Sequence, residues 1–122
     1  MEFLTKRNRP KEAETVKLLK LPTPVQYRSW RLATRSEVCA ASGRPDECFP
    51  WIQATENAKA KLEDFADPGT FKSLDVKLAT AISKISSGPL GRIITLETEK
   101  AAKAGRLLCG RQALFLIHQF HK

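Results

Sequence analysis

Apolar residues return every three or four positions along most of this chain, and nowhere do they alternate with polar ones for long. That period belongs to helices buried on one face, so the pattern predicts an all-α protein. The first firm signal is LPTPV: Thr23 can cap a helix whose first position is Pro24, where a missing N–H costs nothing. From there Tyr27, Trp30, Ala33, Thr34, Val38 and Ala41 fall on one broad face, with Arg28, Arg31 and Arg35 as a stripe beside it. The Trp30 face is expected to be buried and the arginine stripe wet. Gly43 stops this helix in the manner of a left-handed C-cap.

In RPDECFPWIQATE, Pro50 cannot sit deep inside a helix, so a second helix is expected to start close to it and run through Trp51 and Ile52, with Phe49, Trp51 and Ile52 in the core. A short helical piece around Lys61 to Phe65 and the turn signal ADPGTF follow. Ser73 or Asp75 then opens a helix with Leu74, Leu78, Ala81, Ile82 and Ile85 on one side. In SSGP, Gly88 ends it and Pro89 begins the next. That helix, to Lys103, lines up Leu90, Ile93, Ile94 and Glu97, with Glu99 and Lys103 in i, i+4 register, and Gly105 terminates it. After RLLC a last helix presents Leu114, Ile117 and Phe120 or His121. About five helices with short links make a small bundle, and no internal repeat suggests a solenoid.

Length and composition fit one such bundle. A chain of 122 residues with 42% hydrophobic and 28% charged side chains can bury one core. Residues 1–22 stand apart as a basic flexible arm carrying Lys6, Arg7, Arg9, Lys11, Lys17 and Lys20, with one helical turn expected near Glu12 to Leu19; residues 23–122 form the helical domain. The net charge is +8, and the first 35 residues alone hold nine basic and three acidic groups. A basic front end suggests a polyanionic partner, nucleic acid first and an anionic membrane surface second. A solvated basic surface that only maintains solubility explains the same count.

Chemistry is sparse. Cys39, Cys48 and Cys109 are an odd number at wide spacing, which suits reduced thiols inside a cell and a cytoplasmic location. Ala113 to Ile117 is the longest apolar run, too short for a bilayer helix. Cys39 and Cys48 with eight residues between them, and the H-x-x-H pair His118 and His121, match no zinc spacing. Cys109 lies near a helix start, where the dipole would lower its pKa, but a small buried thiol explains it better. GPLGR lacks the Lys and Ser/Thr of a phosphate loop, and Glu63, Asp64, Glu97 and Glu99 read as surface charges. No enzyme, cofactor, metal or small-molecule substrate is therefore expected. Binding is: six basic residues in the arm could neutralise up to six phosphates of a single-stranded nucleic acid, giving a salt slope of about −4 if all engage.

Three ordered segments carry a resemblance. LPTPVQYRSWRLATRSEVCAASGRPDECFPWI (21–52), LDVKLATAISKISSGPLGRII (74–94) and GRQALFLIHQF (110–120) resemble the Gag region of copia-type LTR retrotransposons, in particular the copia-like polyproteins abundant in dinoflagellate genomes. The resemblance implies a capsid-like N-terminal domain that self-associates as a homo-oligomer and packages RNA. It also implies a continuation, so the apolar end at His121 and Lys122 is expected to be a truncation. The nucleic-acid contacts would come from Lys6, Arg7, Arg9, Lys11, Lys17 and Lys20, helped by Arg28, Arg31 and Arg35. The rival reading is a small basic helical adaptor that binds nucleic acid or a protein through its Trp30 helix without self-assembly.

Overall fold

The computed structural model describes residues 11–122; Lys6, Arg7 and Arg9 lie outside the described residues. Among the described residues five α-helices follow one another: α1 (Tyr27–Ser42), α2 (Pro45–Gln53), α3 (Lys72–Ile85), α4 (Gly88–Lys103) and α5 (Gly110–Phe120). Three short 3-10 turns, Ala54–Glu56, Leu62–Phe65 and Gly69–Phe71, bridge α2 to α3, and the described residues hold no strand. The all-α class stands.

Helix ends follow the local chemistry. Thr23 and Gln26 exchange two hydrogen bonds, Gln26 N to Thr23 Oγ1 at 3.3 Å and Thr23 N to Gln26 Oε1 at 3.2 Å, and the regular helix starts one turn later than expected, at Tyr27. Gly43 ends α1 with φ +72°, as expected. Gly105 ends α4 with φ +74°, its N–H bonding Ala102 O while Arg106 N–H reaches back to Ala101 O. Those two bonds satisfy carbonyls that the last turn would otherwise leave open.

The second helix departs from expectation. It begins at Pro45, not near Pro50, and Pro50 lies within it. Pro45 takes the first helical position, where no N–H is needed, and Asp46 and Glu47 place negative charge in the first turn. Pro50 removes one internal hydrogen bond from a nine-residue helix that packing against α1 sustains. Phe49 is not core: it is 40% exposed and stacks under the Arg35 guanidinium at 5.3 Å. Cys48 and Ile52 are the buried side chains, and Trp51 is half-buried, donating Nε1–H to Pro68 O at 2.9 Å.

The core gathers on α5, eight of whose eleven residues are buried, chiefly against α3, α4 and the first two 3-10 turns. α3 lies along α5 and contributes Leu74, Leu78, Ala81 and Ile82. α1 brings Trp30, Val38, Cys39 and Ala41, and α4 brings Leu90 and Ile94. Leu78 and Ile82 are fully buried, and truncating either to Ala would cost about 2–5 kcal/mol.

The expected helical turn over Glu12 to Leu19 does not form, and the described part of the arm is not loose. Residues 11–22 run extended, with a bend at Glu14 and Thr15, and strap the bundle. Ala13 N donates to Ala41 O at 2.8 Å and Trp30 Nε1 donates to Leu19 O at 3.2 Å, so the strap runs antiparallel to α1. Val16 is buried, and Lys77 on α3 grips Glu12 at 2.5 Å and Ala13 O at 2.7 Å. Ala13, Val16, Leu18 and Leu21 turn toward the core from an extended backbone, so their spacing is not evidence of a helix here.

Candidate functional site

The basic residues divide into two groups. Lys11, Lys17, Lys20 and Arg28 are exposed and form no ion pair with the described residues. Arg31 and Arg35 turn inward to one carboxylate. Arg35 meets Glu56 in a two-pronged pair, Nη2 to Oε1 at 2.7 Å and Nε to Oε2 at 3.0 Å, and the bond raises the arginine pKa. Arg31 Nε stands 3.7 Å from the same Glu56. Of the arginine stripe expected to be wet, Arg28 is exposed, whereas Arg31 and Arg35 are not and tie α1 to the turn after α2.

Next to that pair lies a polar cluster at the end of α5. The Tyr27 hydroxyl and Nδ1 of His118 share a hydrogen bond at 2.6 Å, and the His121 ring stacks on Tyr27 with centroids 4.6 Å apart. Burial, assisted by Arg31 and Arg35, pulls the His118 pKa down to about 4 against the opposing pull of Glu56. Burial also raises the Tyr27 pKa. Both rings are neutral at neutral pH. This cluster is a joint between α1 and α5, and among the described residues no group of three or more His, Cys, Asp or Glu could hold a metal.

The start of α5 holds residues that sequence reasoning passed over. Asp75 is buried in α3 and accepts Gly110 N at 2.8 Å and Arg111 N at 2.9 Å. Arg111 lies between the rings of Trp51 and Phe65, 4.9 and 5.1 Å from their centroids, and donates to Trp51 O and Asp67 O. Gln112 accepts Cys109 N and donates to Leu62 O. The Gly-Arg-Gln run thus spends each residue on structure: close approach, stacking, capping. A charged and an amide side chain in the first turn of the most apolar helix was the available signal.

Cys109 is not activated. Its thiol donates to Ala66 O at 3.0 Å, and burial, reinforced by Asp75, pushes its pKa up, opposite to the dipole effect. Burial pushes Cys48 up to about 12 and raises Cys39 as well. None of the three thiols is poised as a nucleophile. Trp30 is 3% exposed, so the Trp30 face of α1 is buried as expected.

Two surface features remain. A groove of about 570 Å³ runs between α3 and the Arg106–Cys109 connector, with Val76, Ala79, Leu107 and Leu108 as its apolar walls. A shallower hollow of about 470 Å³ lies on the outer side of α4, bordered by Gly91, Arg92, Thr95 and Leu96. No helix of the described residues is long and apolar enough to cross a membrane. In the comparisons with known proteins, no family model matches the chain, and no curated protein or solved structure shows significant similarity to it.

Proposed function

We propose that this chain is a non-enzymatic, capsid-like module of the copia Gag kind, which associates with copies of itself and holds RNA electrostatically inside the cell. The observation that carries the reading is the strap. Backbone hydrogen bonds and buried Val16 fix its course, yet Lys11, Lys17 and Lys20 stay exposed without carboxylate partners. Charges on a fixed track meet a phosphate chain with less ordering entropy than charges on a free tail. Contacts of this type position a backbone and read no bases, so binding is sequence-tolerant. Arg28 adds to the track, whereas Arg31 and Arg35 are committed to Glu56. Lys6, Arg7 and Arg9, in the same basic run of sequence, add to it.

Fluorescence anisotropy of a labelled single-stranded RNA across a KCl series tests the reading. Seven engaged cations give a slope of about −5, and replacing Lys11, Lys17 and Lys20 by Ala reduces it to about −3. Light scattering of the RNA-bound protein should report particles that vanish with ribonuclease. A strict monomer without salt-dependent RNA binding would remove the proposal.

The groove beside α3 supports a second reading, a basic helical adaptor, since about 570 Å³ of largely apolar concavity is within the size range of a side-chain or ligand pocket. That reading predicts a single defined complex and no self-association.

A further inference from the structure

α4 leaves one long side uncovered. Among its sixteen residues only Leu90, Gly91, Ile94 and Ala101 are buried, and its outer side leaves Leu96 57% and Ile93 37% exposed, one turn apart. Beside Leu96 is the hollow of about 470 Å³, bordered also by Ser86, Ser87 and Gly88. Arg92 and Glu99 border the same hollow, and neither forms an ion pair with the described residues. Seven residues apart, they sit nearly in line along the helix, two turns from each other.

This stripe is complementary to itself. We propose that α4 docks antiparallel on α4 of a second copy, across a two-fold axis that passes between Thr95 and Leu96. The inference rests on the self-association reading above and names its surface. About that axis Thr95 faces Leu96 of the second copy, and Arg92 faces Glu99 of the second copy, each pair occurring twice. Each Leu96 lies beside the axis, where it meets Thr95 and Leu96 of the second copy and is removed from water. Opposite charges spaced evenly about one midpoint satisfy the condition of an isologous contact, in which the same patch serves both subunits. A nucleic acid on this face would meet Glu99, and a partner of one charge sign would meet a like charge at one end. A second copy leaves neither group opposed.

A helix of sixteen residues offers a small interface, so the dimer is weak and belongs with contacts that act by repetition. Sedimentation equilibrium of the full chain, freed of RNA, across a concentration series reads it directly. Wild type should show a reversible monomer–dimer equilibrium. Leu96→Asp should abolish it, and Arg92→Glu and Glu99→Arg should each weaken it by about tenfold or more. The double variant R92E/E99R should recover dimerisation, because the swap restores both pairs. In a Cys109→Ser background, Thr95→Cys beside the axis should crosslink under mild oxidation, whereas Leu107→Cys, 80% exposed but off this face, should not. All these positions but the half-buried Cys109 are exposed, and circular dichroism confirms that each variant folds. A dimer indifferent to Leu96→Asp, or a double swap that stays monomeric, overturns this inference and leaves self-association standing. A wild type monomeric at every concentration when freed of RNA overturns this inference, and one that stays monomeric with RNA bound as well overturns both.

Discussion

Asp75 caps Gly110 from another helix: its carboxylate accepts the Gly110 N–H at 2.8 Å, and the Asp75 backbone carbonyl lies against the Gly110 Cα. Thirty-five residues separate the two, yet they join the first turn of α3 to the first turn of α5 at the centre of the bundle. A Cβ at Gly110 would collide with Asp75 O and come within 2.9 Å of Ala79 N, so the helices can approach this closely only with glycine there. Gly110→Ala should therefore lose about 2–3 kcal/mol in urea denaturation. Asp75→Ala strands two buried N–H groups and should lose about 2–4 kcal/mol. Asp75→Asn keeps one acceptor and should lose less.

Arg35 and Glu56 give a prediction that separates folding from RNA binding. Arg35→Ala should lower stability by about 1 kcal/mol, since the pair is part-exposed and the remaining Glu56 regains some solvent. Its RNA affinity and salt slope should match wild type in anisotropy. Replacing Lys17 and Lys20 should do the reverse, leaving the melt unchanged and reducing the slope by about 1.4. An Arg35→Ala variant with a weakened slope would place the RNA contacts on α1 instead.

How far the sequence revealed all this depends on the range of the interactions. Leu74, Leu78, Ala81 and Ile82 announce α3 because a helix face is a local period, and Gly43 and Gly105 announce ends because a left-handed residue is a local requirement. The pairing of Arg31 and Arg35 with Glu56 crosses more than twenty residues and leaves no periodic trace, so the stripe looked like solvent-facing charge. Asp75 looked like a helix opener, but α3 already begins at Lys72, and the Asp75 carboxylate, in its first turn, serves the other helix. Pro50 drew the start of α2 away from Pro45 because both prolines fit a first helical turn in isolation, and only packing against α1 distinguishes them.

His118 makes stability depend on pH with a definite sign. Its folded pKa of about 4 lies below the ordinary 6.5, so the unfolded chain binds the proton more readily. The stabilisation is fully present above pH 6.5 and is lost as pH falls from there toward 4. A shift of this size corresponds to about 3 kcal/mol. Asp75 acts in the opposite sense, because burial raises its pKa against the pull of the two N–H bonds and Arg111. Urea midpoints at intervals from pH 7.5 to 4 should decline, and His118→Gln should flatten most of that decline. A profile unchanged by the substitution would mean that the ring is hydrated.

The strap offers a last test, because its contribution to folding and its contribution to RNA binding come from different atoms. Val16 is the buried side chain, whereas Lys17 and Lys20 point their charges to solvent on either side of a backbone held at Ala13 and Leu19. Val16→Ala removes two methyl groups from a packed site and should cost about 1–2 kcal/mol. Deletions of residues 1–10 and of residues 1–22 isolate the strap, since only the longer one removes the contacts of Glu12, Ala13 and Val16. Deleting residues 1–22 should lower the midpoint by several degrees and expose Trp30, which a red shift of its fluorescence would report. If the longer deletion melted like the shorter one, the strap would be decoration on the bundle, and the fixed lysine track on which RNA binding depends would have no support.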